Sequence, residues 1–207
     1  MYKNYIKPTL DRFLAIIILV VMLPVLLLIS VFILVTMGSP VIFKQERVGK
    51  DFQTFIMYKF RTMREPKEGE NRLLSDANRV TKLGSFLRKT SLDELPEIIN
   101  VIKGDMSLIG PRPLLNLHID LFNEVEKKRY EVKPGITGLA QVLGRQSLSF
   151  KQRAKLDNEY VEKISFWQDC KILFHTIGVV FLGNGVNTGQ RFEEVDDVGL
   201  EKIIKQQ

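Results

Sequence analysis

The chain has 207 residues, 45% of them hydrophobic, which suits one compact domain with a membrane element and leaves too little for two full domains. Thirty basic against 24 acidic residues give a net charge of +6, a surplus that fits a phosphorylated substrate, anionic lipid or nucleic acid. A lone Cys170 and two histidines exclude a disulfide framework and a zinc cluster built on Cys or His spacing, so any metal should be a hard ion bound through oxygen.

From Phe13 to Met37 there is no charged residue, an apolar stretch of roughly 25 residues and long enough for a transmembrane helix. It exceeds the h-region of about 7 to 15 residues in a signal peptide, and no A-x-A-like site follows. Pro24 divides it into halves of about 11 residues, each reaching only about 16 Å, half a hydrocarbon core. Basic residues flank both ends, Lys3, Lys7 and Arg12 before it and Lys44, Arg47 and Lys50 after it. A single span normally shows an asymmetry of Lys and Arg, so the symmetry favours a helix that enters, bends and leaves on one side; a proline-kinked span remains the alternative.

Gly38-Ser39-Pro40 ends the membrane element. Val41 to Val48 and Phe52 to Phe60, separated by Gly49-Lys50-Asp51, predict a β-hairpin. Alternation along the second strand places Gln53, Phe55, Met57, Lys59 and Arg61 on one face. Two cations on one face are either a solvated edge or part of a site. Arg64 to Asn78 is charged and poor in apolar residues, an exposed loop that could act as a lid. Arg79 to Lys89 sets Val80, Leu83, Phe86 and Leu87 at helical spacing against Arg79, Lys82, Arg88 and Lys89, as in an interfacial amphipathic helix or an ordinary surface helix.

The stretch from Thr90 to Pro113 carries most of the chemistry. Asp93 and Glu94 open an apolar-periodic run of Leu95, Ile98, Ile99 and Ile102, a helix with an acidic pair at its start. Gly104, Gly110, Pro111 and Pro113 force turns around Arg112, so a fixed guanidinium can face a fixed carboxylate pair. Ser91-x-x-Glu94 also reads as a capping box, in which the acids only stabilise the helix; Pro96 argues for a start nearer Asp93. A helix N-terminus should keep Asp93 charged at neutral pH.

Leu117 to Tyr130 predicts a helix with Leu121, Phe122 and Val125 apolar. The glycines 135, 138 and 144, with Thr137, Gln141 and Arg145, could form a backbone amide nest for phosphate and ribose. Neither G-x-G-x-x-G nor the P-loop pattern occurs. Lys151 to Ile164 predicts a polar helix, and Phe166 onward an apolar one with Trp167 as an interface anchor. His175 reads as packed or exposed rather than catalytic. The tail from Gly183 is expected to be poorly ordered.

The run Ser91-Leu-Asp-Glu-Leu-Pro96 with Asn100-Val-Ile-Lys-Gly-Asp-Met-Ser-Leu-Ile-Gly-Pro-Arg-Pro113 closely resembles the bacterial sugar transferase family. Its small monotopic phosphoglycosyl transferases of the PglC type, which load a phospho-sugar onto polyprenol phosphate, are the nearest match. Tyr58-Lys-Phe-Arg-Thr-Met63 belongs to the same resemblance, and Asp157 and Tyr160 stand where the family motif expects them. The implied fold is α+β: a re-entrant membrane helix (1–38), a catalytic domain with interfacial amphipathic helices and a short β-hairpin (39–182), and a tail (183–207). One departure is Leu23, where the family often has Ser before the proline.

The implied reaction moves a phospho-sugar from a UDP-sugar to polyprenol phosphate through attack by Asp93, with UMP leaving. An aspartate can serve as such a nucleophile, and no suitable Ser-His or Cys-His motif is in view. Glu94 would hold Mg²⁺ against the diphosphate. Lys59, Arg61, Arg88, Arg112, Gln141, Arg145 and Asp157 form the implied substrate-binding set, Arg112 having the planar fork suited to phosphate. The implied setting is the cytoplasmic face of a bacterial inner membrane, with anionic lipid as a neighbour; a homodimer stays open. Two rivals use the same residues: a membrane-associated metal-dependent phosphohydrolase, and a non-enzymatic lipid-binding module in which the acidic pair is only a cap. Nucleic acid is disfavoured because the basic residues flank membrane-seeking stretches rather than aromatic platforms.

Overall fold

The computed structural model describes residues 1–65, 67–68, 79–144 and 148–182. Most of the expected lid, Arg145 and the tail from 183 lie outside the described residues. After a π-helical turn (Tyr2–Ile6), α1 spans Lys7–Met37 and continues unbroken through Pro24. Its 31 residues correspond to about 46 Å at 1.5 Å per residue, more than a hydrocarbon core. The helix is therefore longer than the uncharged stretch, and its first turns carry Lys7 and Asp11. Among the described residues it is the one helix long and apolar enough to cross a membrane. Large side chains such as Phe13, Val20, Val21, Leu27, Leu28 and Val35 are exposed along it.

Both halves of α1 nevertheless pack on the rest of the chain. Ala15 and Leu19 join Met57, Ile98, Val101 and Met106, while Val25, Ile29 and Ile33 join Phe60, Leu87 and Leu95. Both ends are also tied by polar contacts. Near the start, Lys7 Nζ lies 2.9 Å from Asp169 Oδ2 and 3.3 Å from Asp11 Oδ2. Asp11 accepts from the Ser107 hydroxyl, and the phenols of Tyr2 and Tyr160 donate to the two oxygens of Asp169, each at 2.7 Å. At the other end, the Arg61 guanidinium donates to the carbonyls of Met37, Gly38 and Ser39, the last at 3.0 Å. Those are among the carbonyls a helix terminus leaves without partners.

The expected hairpin is present as β1 (Ile42–Val48) and β2 (Thr54–Phe60), antiparallel, with Phe43 opposite Lys59 and Arg47 opposite Phe55. The amphipathic helix is α2 (Lys82–Lys89), shorter than the pattern suggested, with Thr81 as N-cap accepting from the Gly84 amide at 2.9 Å. A Cβ on Gly84 would collide with the Thr62 carbonyl, so glycine is what lets α2 lie against the chain leaving β2. Leu87 is buried and Phe86 is 56% exposed.

A 3-10 turn (Leu92–Glu97) leads into α3 (Ile98–Lys103), then β3 (Ser107–Ile109). The helix expected over 117–130 is instead two 3-10 turns, Asn116–Leu121 and Glu126–Glu131. Phe122 is extended between them, and Asn123 accepts from the amides of Val125 and Glu126, side-chain competition that starts a new turn in place of a continuous helix. β4 (Gly135–Thr137) pairs parallel with β3. Then come α4 (Leu139–Leu143), α5 (Phe150–Glu162, closed by a capping box at Ser149) and α6 (Phe166–Leu182). On α6, Trp167 is 75% exposed and His175 is exposed, whereas Asp169 and Ile172 face inward.

Candidate active site

Asp93 and Glu94 sit on the 3-10 turn Leu92–Glu97 rather than at the mouth of an α-helix. The capping box is absent: Ser91 has left-handed backbone, φ 57°, and its side chain caps nothing. In a 3-10 turn, side chains three apart eclipse one another. Glu94 and Glu97 therefore stack on one side, and β2 runs beside them.

Lys59 of β2 enters between these two acids, its Nζ 2.7 Å from Glu94 Oε1 and 3.1 Å from Glu97 Oε1. Arg112, held in the turn after β3 between Pro111 and Pro113, donates to the same Glu94 oxygen at 2.6 Å. The expected meeting of guanidinium and acidic pair is thus present. Arg112 and Lys59 hold the Glu94 carboxyl far below the usual carboxylate range, although burial pulls it the other way. Glu94 in turn holds the Arg112 guanidinium above its ordinary value.

Asp93 is treated differently. Only 9% exposed, it makes no hydrogen bond or ion pair among the described residues. Its pKa is raised, first by burial and then by the Glu94 charge, against the pull of Lys59, Arg88 and Arg112. Burial is the larger influence on Asp93, and in place of the expected α-helix end it stands on a short 3-10 turn that supplies little dipole. Arg88 of α2 is fixed by a 3.0 Å bond to the Thr62 hydroxyl and acts on Asp93 through its charge.

Three of the expected residues lie elsewhere. Arg61 does not share a destination with Lys59, because it is turned to the end of α1. Asp157 is buried in an ion pair with Arg129 at 2.9 Å, and Arg129 donates to the Arg112 carbonyl at 2.6 Å. It thus supports the Arg112 turn from behind, and burial pushes its carboxyl up to about 6. Gln141 donates to the Ile136 carbonyl at 3.3 Å, and its Oε1 is buried with no hydrogen-bond donor among the described residues. Nor do the glycines form the expected nest. The Gly135 amide donates to the Pro111 carbonyl, and a Cβ on Gly135 would collide with the Gly110 backbone, so these glycines let β3 and β4 approach closely. Arg145 is outside the described residues.

Two members of the cluster escaped the sequence reading. Glu97 is 2% exposed, and burial pushes its carboxyl up to about 7 against the opposing pull of Lys59. Its signal was the three-residue spacing from Glu94. Arg47 lies on the Lys59 face of the hairpin by register; burial first, then Arg112, lower its guanidinium to about 10. Alternation along β1 would have found it. No group of three or more His, Cys, Asp or Glu side chains able to share a metal occurs among the described residues. Asp93 and Glu94 offer hard oxygen donors, which fits an ion such as Mg²⁺ that is held by one or two carboxylates together with substrate phosphates and water.

An acidic pair ringed by fixed cations beside a membrane-seeking helix defines a membrane-associated site suited to anionic groups. The comparisons with known proteins give the class a name: the chain belongs to the bacterial sugar transferase family, whose sequence profile matches residues 2–183. It is 46% identical over 166 residues to the sugar transferase EpsL of Bacillus subtilis, covering 78% of this chain and 82% of that protein. It is 39% identical over 185 residues to the UDP-glucose:undecaprenyl-phosphate glucose-1-phosphate transferase of Escherichia coli, and 38% identical over 202 residues to the undecaprenyl-phosphate galactose phosphotransferase of Salmonella typhimurium. Those matches cover 84% and 88% of this chain but only 40% and 42% of the two relatives.

Proposed function

We propose that this chain is a phosphoglycosyl transferase that moves a phospho-sugar from a UDP-sugar to polyprenol phosphate at a membrane, releasing UMP, with Asp93 as covalent nucleophile. The observation that carries the reading is the unequal treatment of two adjacent carboxylates. One Glu94 oxygen takes both Lys59 and Arg112, while Asp93 is buried beside it with no hydrogen bond or ion pair among the described residues. The unpartnered oxygen can attack phosphorus, and the neighbouring cations receive the negative charge that both substrates bring.

In the first step an Asp93 oxygen bonds to the sugar-bearing phosphorus and the bond from that phosphorus to the bridging oxygen breaks, that oxygen leaving with UMP. In the second, an oxygen of polyprenol phosphate attacks the same phosphorus and Asp93 leaves as carboxylate. Arg112 and Lys59 fix Glu94 and present positive charge to the phosphates, and Arg88 of α2 acts on Asp93 through its charge. Asp93 and Glu94 would hold Mg²⁺, which would neutralise the diphosphate charge when bound.

The re-entrant arrangement is part of the proposal. Its support is that both ends of α1 are tied to one domain, by Lys7 and Asp11 at the start and by Arg61 at the finish. A span would need to send one of those ends to the far side of the bilayer. Both termini of the helix then face the cytoplasm, where nucleotide sugars are available, and α2 lies at headgroup level with Phe86 outward. The carbonyl freed at the proline has Leu23, not a serine, before that proline.

The test is UMP release in nanodiscs with Mg²⁺, undecaprenyl phosphate and a panel of UDP-sugars, comparing wild type with Asp93→Asn. UMP formation that needs Asp93 and, over many turnovers, the lipid phosphate is the expected result. UMP unaffected by Asp93→Asn would overturn the nucleophile. Sugar phosphate or inorganic phosphate released without the lipid would identify a phosphohydrolase.

A further inference from the structure

Lys59 has a second carboxylate that the transfer chemistry leaves unused. Glu97 touches no other cation among the described residues, is 2% exposed, and lies 3.1 Å from the lysine ammonium. A side chain needed only to fill that space would cost less as a hydrocarbon, because a buried carboxylate is expensive to desolvate. Opposite it stands a lysine whose four-carbon stem is flexible and whose ammonium forms a point charge without preferred direction. Bound by Glu94 alone, that ammonium could swing toward the adjacent Asp93, which makes no hydrogen bond or ion pair among the described residues, and neutralise it.

We infer that Glu97 is the positioning residue of this site: it holds the Lys59 ammonium between two carboxylates stacked on one 3-10 turn, so that the lysine stays on Glu94 and off Asp93. The turn itself is the device. Its threefold repeat aligns Glu94 with Glu97, and Pro96 inside it is compatible with a turn of this kind. An α-helix also keeps residues three apart on one side but offsets them around the axis, whereas the 3-10 repeat sets them in line. The inference rests on the proposed function only for what the lysine charge is used for, not for where it is held.

Two readouts test it. Steady-state UMP release is measured for wild type, Glu97→Ala, Glu97→Gln, Lys59→Ala and the Lys59→Ala/Glu97→Ala pair. In the same proteins, acetylation of Lys59 by acetic anhydride is followed by peptide mass spectrometry. Glu97→Ala should lower kcat about tenfold with KM for the UDP-sugar nearly unchanged, since sub-ångström positioning acts in the transition state. Glu97→Gln should recover most of that loss, because an amide oxygen still accepts from the ammonium. In the Lys59→Ala background the Glu97 change should add nothing, as expected of a residue acting through the lysine. Lys59 acetylation should be severalfold faster in Glu97→Ala. Wild-type kcat in Glu97→Ala, no recovery with Gln, losses that multiply in the double variant, or unchanged acetylation would each overturn the inference. Should the alanine variant not fold, Glu97→Met fills the volume and takes its place in every comparison. If wild type releases no UMP from any sugar, the transferase reading fails, while the acetylation rates still decide whether Glu97 positions Lys59.

Discussion

The clusters around Asp169 and around Glu94 use the same ingredients, a lysine shared by two carboxylates, and finish differently. Around Lys7 the acids are saturated: Asp169 takes both tyrosine phenols and Asp11 takes Ser107. Around Lys59 the cations crowd onto one oxygen of Glu94, and Asp93 is left with none among the described residues. A saturated cluster can only hold structure together. An unsaturated one has an oxygen to spare, and that difference separates an anchor from a site.

The comparison breaks most visibly at Asp93. Asp93→Asn should cut UMP release by about 10³-fold or more, as loss of a nucleophile does, while the thermal melt stays at or above wild type because a buried unpaired acid is removed. Lys7→Met should do the reverse. Leaving Asp11 and Asp169 without their cation should cost about 3–5 kcal/mol of stability by denaturant titration, with kcat per folded molecule near wild type. A Lys7 variant that melts normally but is inactive would merge the two clusters into one.

Asp157 sharpens the contrast from the side. Its ion pair with Arg129 uses one oxygen, the other being buried with no hydrogen-bond partner among the described residues, and that pair holds the carbonyl of Arg112. Asp157→Asn should therefore lower kcat about tenfold through misplacement of Arg112, and Arg112→Lys should lose more, since a point charge cannot replace the planar fork. Kinetics on the two variants side by side check the order.

The smallest effect is in pH. Asp157 titrates at about 6 in the folded chain against 3.8 unfolded, and Glu97 at about 7 against 4.5. Both folded values are raised, so the folded state binds more protons across that interval, and stability falls as pH rises through it. Glu94, whose folded value is lowered, acts oppositely and only below its unfolded 4.5. Melting temperature should accordingly be higher near about pH 5.5 than near about pH 8, and Glu97→Gln together with Asp157→Asn should flatten the slope.

Local pattern made the hairpin, the amphipathic helix and the convergence of Lys59, Glu94 and Arg112 legible, because alternation, helical spacing and Pro-Gly turns are properties of short windows. The same windows could not show that Arg61 would meet the carbonyl end of a helix more than twenty residues earlier, nor that Asp157 would reach Arg129. Those are pairings between distant segments, and charge type alone fits a substrate phosphate as well as a backbone carbonyl. Glu97 was hidden for a different reason: three-residue spacing sets it beside Glu94 in an α-helix as in a 3-10 turn, but its burial against Lys59 depends on the packing of β2 there. The nest was misread because glycines that permit close strand approach look, in sequence, like glycines that bind phosphate.

The most direct test of the account is a single-turnover experiment without acceptor lipid. Protein with Mg²⁺ is mixed with the UDP-sugar that supports turnover, UMP is quantified, and the chain is digested for mass spectrometry. The account predicts a burst approaching one UMP per active site and a phospho-sugar adduct on the peptide bearing Asp93, discharged when polyprenol phosphate is added. UMP that forms only when both substrates are present, with no adduct at any time, would contradict the covalent role of Asp93 and leave the unpaired carboxylate to be explained another way.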